Sequence, residues 1–198
     1  MHVPILESSM NHDRLPAIEP SQWTEAQRRE AQAIVDGPRQ ALISPFVPLL
    51  RSPELMGRAQ RMGEYLRYRS ALGLRLSELA ILLVARAWSP PVEWAIHAPI
   101  AAREGIAART IAAIGAGRRP DALAPDEAAV SDVCAELERD RAVSDATWAA
   151  ALRHLGEQGT VDLIGLVGYY GLLAMVMNAA RTPSPGGPAL PPRASGSR

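Results

Sequence analysis

Arg75-Leu76-Ser77-Glu78-Leu79-Ala80-Ile81-Leu82-Leu83-Val84-Ala85-Arg86-Ala87-Trp88, then Ser89-Pro90-Pro91, then Val92-Glu93-Trp94-Ala95-Ile96-His97-Ala98, is the stretch whose reading decides the fold. Leu74 to Trp88 is densely apolar and has no turn residue inside it. Its length favours a helix buried on most sides over a strand. Ser89-Pro90-Pro91 breaks that helix and restarts the next, Val92 to about Glu104, which Gly105 stops. If the two fold back as a straight hairpin, His97 lies opposite residue 83 or so. Glu78 is then displaced by about 7 Å along the axis, a gap for long side chains or one water.

Helical signals continue outward on both sides. Ser52-Pro53-Glu54 combines a capping serine, a first-turn proline and an acid facing the helix dipole. Leu55, Ala59, Met62 and Leu66 follow at helical spacing up to Gly73. Upstream, a helix from Ser21 closes at Gly37-Pro38, and Ser44-Pro45-Phe46-Val47-Pro48 reads as a structured connector. Downstream, helices are expected over Ile106 to Ala116, Pro125 to about Arg139, Ser144 to Gly156 and Thr160 to Arg181. No alternating hairpin pattern occurs, so the chain reads as all-α: an arm over 1–20, one helical domain over 21–181, and a Pro/Gly/Ser-rich tail over 182–198 that should be disordered.

Composition limits the function. The 198 residues carry 21 basic and 21 acidic side chains, 47% are hydrophobic, and the balanced charge argues against a nucleic-acid partner. Every basic residue is arginine, which excludes Schiff-base, pyridoxal-phosphate and Walker-type chemistry, all of which need a lysine. Cys134 is alone, so no intramolecular disulfide or cysteine-rich zinc site can form. The opening residues lack a basic-then-apolar leader, and the expected compartment is the cytoplasm. Uncharged Leu163 to Ala180 approaches a membrane span in length. Its glycines and Asn178 favour a buried helix in an oligomer, with no membrane partner.

Four histidines are present, two of them, His2 and His12, in the arm. His154 sits near a helix end, where an imidazole complements the dipole. His97 follows Glu93 by four residues on one helix face. That spacing suits a carboxylate-oriented acid–base histidine, and equally an intrahelical pair that satisfies two polar groups. Glu78 opens the apolar run and must be exposed or buried with a partner. Arg86 could clamp a carboxylate or pair with a protein acid, and the Tyr169 and Tyr170 hydroxyls are possible donors. One histidine with two carboxylates is a thin ligand set, so no metal is expected.

Residues Arg75 to Arg86 with Glu93 to Ala98, continuing into Ala101-Ala102-Arg103-Glu104-Gly105-Ile106, resemble the carboxymuconolactone decarboxylase superfamily, which includes the alkylhydroperoxidase D-like proteins. The likeness is most specific over 74–117. It implies an all-helical bundle with a helical-hairpin core, here with extra N-terminal helices, assembled as a trimer or hexamer. In the peroxidase branch a glutamate is followed at twelve, fifteen and nineteen residues by two cysteines and a histidine. Glu78 and His97 match the outer positions, while Pro90 and Glu93 stand where the thiols would be. Glu93 and His97 are closer to the decarboxylase branch, which acts without cofactor on a carboxylated unsaturated lactone. The resemblance thus implies His97, Glu93 and Glu78 as catalytic residues, with His97 as the acid and Glu93 as its orienter. Arg86 would be the carboxylate clamp, and Trp88, Trp94 and Tyr169 further contacts to a small-molecule substrate.

Overall fold

A computed structural model of the chain describes residues 13–184 and 186–192. Eight α-helices and one 3-10 turn are formed, with no strand among the described residues. The helices are α1 (Glu25–Val35), α2 (Phe46–Leu49), α3 (Pro53–Tyr68), α4 (Gly73–Trp88), α5 (Pro91–Arg103), α6 (Ala108–Gly115), α7 (Pro125–Asp140) and α8 (Asp145–Ala180). The expected all-α class holds. The connector expected at Ser44 to Pro48 contributes the one-turn helix α2.

Local chemistry accounts for the boundaries. Thr24 and Gln27 form a reciprocal capping box at the start of α1. Pro53 and Pro91 stand in the first turns of α3 and α5, where a missing N–H leaves no gap. Ser89 ends α4 in the left-handed region at φ 58°, and the adjoining Pro90-Pro91 reverses the chain. Gly156 has φ 70° and ψ 175°, a break inside α8 that a side chain would resist. The two helices expected on either side of Gly156 thus meet at this break, and α8 is their direct succession.

α4 is the central element. It packs against α5, α7 and α8, and its Leu79, Ala80, Ile81 and Leu82 have no exposed surface. The apolar half of α8 supplies Leu163, Leu166, Leu173 and Met177 to the same core. By length and composition α8 could cross a membrane, yet half of its most apolar window is buried inside this bundle. One side of α8 remains open: Val161, Ile164 and Met175 are exposed, at spacings that place them on one face.

The described residues nearest each end pack onto the bundle. The Arg14 N–H donates to the Ala180 carbonyl at 2.8 Å, and the Arg51 guanidinium donates to the Leu15 and Pro16 carbonyls. Residues 1–12, with His2 and His12, lie outside the described residues. The tail expected to be disordered instead returns over α5 across its described part. Arg86 donates to the Pro191 carbonyl at 2.6 Å, and Leu190 packs on the core. Proline-rich chain cannot build a core of its own, but it presents free carbonyls that a buried arginine can use.

Asp162 fixes the α3–α4 turn to α8. It is 7% exposed and accepts from the Tyr65 hydroxyl at 3.0 Å and from the Ala71 N–H at 2.9 Å. Asp162→Ala strands both donors, and the expected loss is about 2 kcal/mol of unfolding free energy, measured by urea titration.

Candidate functional site

Glu78 lies in the second turn of α4, and Glu93 and His97 lie one turn apart in α5. The hairpin brings the three into direct contact, closer than straight antiparallel helices require. His97 Nδ1 is 2.7 Å from Glu78 Oε2, and His97 Nε2 is 3.2 Å from Glu93 Oε2. Glu78 has no exposed surface, and Glu93 and His97 are each 3% exposed. The second Glu78 oxygen is met by Arg67 of α3, whose Nε lies 3.3 Å from Oε1.

The chain Arg67–Glu78–His97–Glu93 therefore alternates in sign. Burial opposes a charged imidazole, but hydrogen bonds to Glu78 and Glu93 and the charges of both carboxylates outweigh it. The His97 pKa is raised above its ordinary 6.5. The two carboxylates thus favour the imidazolium form, which can donate from both ring nitrogens. With His97 protonated, the two carboxylates, the guanidinium of half-buried Arg67 and the imidazolium cancel, which lowers the cost of holding Glu78, Glu93 and His97 out of water.

Tyr170 packs its ring against His97 edge-on, with centroids 5.4 Å apart, and Tyr169 packs on Tyr170 in the same manner at 5.3 Å. Burial raises the Tyr169 phenol to about 12, while Arg39 and Arg67 pull the other way. Gly63 of α3 makes room for that phenol, since a Cβ there would fall 2.1 Å from its oxygen. A cavity of about 30 Å³ adjoins His97 and Glu93, with Arg39, Phe46, Arg67, Tyr169 and Tyr170 also in its wall. Two polar atoms of that wall, Glu93 Oε1 and the Tyr169 hydroxyl, are buried without a hydrogen-bond partner.

Of the residues expected from sequence, the structure joins Glu78, Glu93, His97 and Tyr169, and it places Arg86, Trp88 and Trp94 elsewhere. Arg86 is eight residues beyond Glu78 on α4, about 12 Å along the axis at the α-helical rise. Arg86 and Trp88 line a different and larger cleft of about 440 Å³, which contains neither carboxylate nor His97. Trp94 is buried against Gly115 of α6. The cations that do reach the site are Arg67 and Arg39, neither singled out by the sequence pattern. Arg39 donates to the Gln60 side chain at 3.0 Å and lies 5.0 Å over the Phe46 ring. Both His97 nitrogens are engaged, and the open carboxylate atom beside the cavity is Glu93 Oε1. The two carboxylates face opposite edges of the imidazole, so their oxygens do not converge on one point where a metal could sit. Among the described residues no His/Cys/Asp/Glu group has the arrangement of a metal site.

No family model, curated protein or solved structure matches this chain.

The raised His97 pKa links stability to pH. An imidazolium held more tightly in the folded chain contributes fully below pH 6.5, its ordinary value, and the contribution fades as pH rises through the folded value. The wild-type thermal midpoint should therefore fall with rising pH above that point relative to His97→Gln. Differential scanning calorimetry of both proteins checks this, and parallel profiles contradict it.

Proposed function

We propose that the protein is an acid–base enzyme of the carboxymuconolactone decarboxylase type, acting without a cofactor on a small carboxylated lactone or related organic acid. One observation carries the reading: Glu93 spends one oxygen on an imidazolium and keeps the other unpartnered beside a cavity. A buried carboxylate with an open lone pair is expensive as a purely structural element. As a proton-transfer group it has a donor behind it and room for substrate in front.

In this reading the bond from the lactone to its carboxylate carbon breaks, carbon dioxide leaves, and the electron pair remains as a dienolate. The proton that quenches it comes from the Glu93 carboxyl, which takes it from His97 Nε2 on Oε2 and, by turning about its Cγ–Cδ bond, presents it to the cavity. The resulting neutral imidazole keeps its Nδ1 proton on Glu78, and solvent later restores the other. Arg39 and the Tyr169 hydroxyl, on the same cavity wall, meet the negative charge on the lactone oxygen. His97 is then a relay and positioning residue, and Glu93 the group that touches substrate. The cavity holds about two waters, so substrate entry requires its wall at Ile43 to Phe46 to move.

The same small volume favours a second reading, a non-catalytic oligomeric protein in which the charge chain only locks helices together. A thiol peroxidase has less support. Cys134 is buried on α7, away from His97, and burial pushes its thiol up to about 12, whereas such an enzyme needs a thiolate. We propose the cytoplasm as the compartment, and a homotrimer or hexamer as the assembly, formed through the exposed face of α8 at Val161, Ile164 and Met175.

The test is a screen of carboxylated lactones and keto acids, followed by kinetics on the best substrate. Glu93→Gln should lower kcat by about 10²–10⁴-fold, and His97→Gln by a comparable factor, with helical content retained. Turnover of Glu93→Gln at the wild-type rate, or no turnover of any such acid by wild type, returns the site to the structural reading.

A further inference from the structure

The cleft that holds Arg86 and Trp88 has a construction of its own and shares no lining residue with the His97 cavity. It lies between α4, the end of α6 and α7, and at about 440 Å³ it falls within the range of small-molecule sites. Its apolar wall is made by Leu83, Ile114, Cys134, Ala135 and Val167, and it reaches deep, since Ile114 is 2% and Cys134 5% exposed. A surface built for a flat protein partner would not extend to side chains that belong to the core.

The charge of its lining is one-sided. Arg86, Arg118, Arg119 and Arg139 line the cleft, against the single acid Glu138. Three of the arginines have internal partners. Arg119 pairs with Asp132, Arg139 pairs with Asp140, and Arg86 holds the Pro191 carbonyl. Arg118 follows Gly117, whose φ of 73° turns the chain at the end of α6, and it stands exposed at the cleft. Among the described residues no carboxylate pairs with it.

We infer that this cleft binds a small amphipathic organic anion, with an apolar body against Leu83, Ile114 and Val167 and an acidic head on Arg118. The apolar depth supplies affinity, and the unneutralised guanidinium selects for negative charge. The site is independent of the proposed proton-transfer reaction and stands or falls separately from it.

The full-length protein is titrated with 8-anilinonaphthalene-1-sulfonate and, in parallel, with N-phenyl-1-naphthylamine, the same aromatic frame without the sulfonate. One sulfonate per chain is expected. Arg118→Gln should weaken it roughly 5-fold while leaving the neutral probe unchanged, as for one charge-assisted contact at a half-open site. Ala135→Phe, a change at an exposed position that fills the cleft, should remove both probes while circular dichroism stays constant. Sulfonate binding insensitive to Ala135→Phe would place the probe on the open face of α8 and overturn the proposal. Binding insensitive to Arg118→Gln would do so by removing the charge selectivity. Probe binding that is lost as protein concentration rises would assign the cleft to a second copy of the chain.

Discussion

Three buried polar side chains and a half-buried arginine, alternating in sign, constrain the rest of this structure. Arg67 comes from α3, Glu78 from α4, and Glu93 and His97 from α5, and none has adequate water to fall back on. Breaking one member of such a set leaves an uncompensated charge in a medium that solvates it poorly, a penalty of about 3–5 kcal/mol. The α4–α5 hairpin must therefore close to hydrogen-bonding distance rather than merely bury apolar surface. The Tyr169–Tyr170 pair on α8 covers the imidazole, and Gly63 on α3 exists in a form that lets that cover fit. Packing around the set is thus dictated from the charges outward.

The central position of α4 separates two environments. Near its start, Glu78 faces α3 and α5 and bonds His97, which lines the small cavity. Near its end, Arg86 and Trp88 border a larger apolar cleft rimmed by arginine. Volume and chemistry do not coincide here. The acid of the larger space, Glu138, is solvent-exposed, whereas the smaller one holds the buried, unpartnered Glu93 Oε1. The proposed reactivity rests on the unpartnered atom, and the inferred binding on the volume.

Much of this was legible in the sequence because helix boundaries are written in local chemistry. Ser89-Pro90-Pro91, Gly105 and Gly156 each stand where an element ends or kinks, since their backbone preferences act without help from distant residues. Glu93 and His97 were legible from their four-residue spacing, and Glu78 from the oddity of an acid opening an apolar run. The remaining parts depend on tertiary placement. Arg67 and Arg39 look like ordinary solvated arginines, and nothing local indicates that they meet a buried glutamate or a cavity. Arg86 was close to Glu78 in sequence and remote from it along the rod. The described tail docks because Arg86 needs a carbonyl, a requirement that composition does not display. The direction of the proposed proton transfer was likewise beyond spacing, because it turns on which atom is left without a partner.

The protonation state of His97 is the direct test of this account, since the charge balance, the fold of the hairpin and the proposed relay all require an imidazolium. Nitrogen-15 NMR of the histidine side chains at neutral pH reads it without a substrate. The expected result is one buried ring with both nitrogens protonated and both protons shifted far downfield by their carboxylate partners, absent in His97→Gln. A neutral tautomer at His97, with one nitrogen unprotonated at neutral pH, would contradict the account.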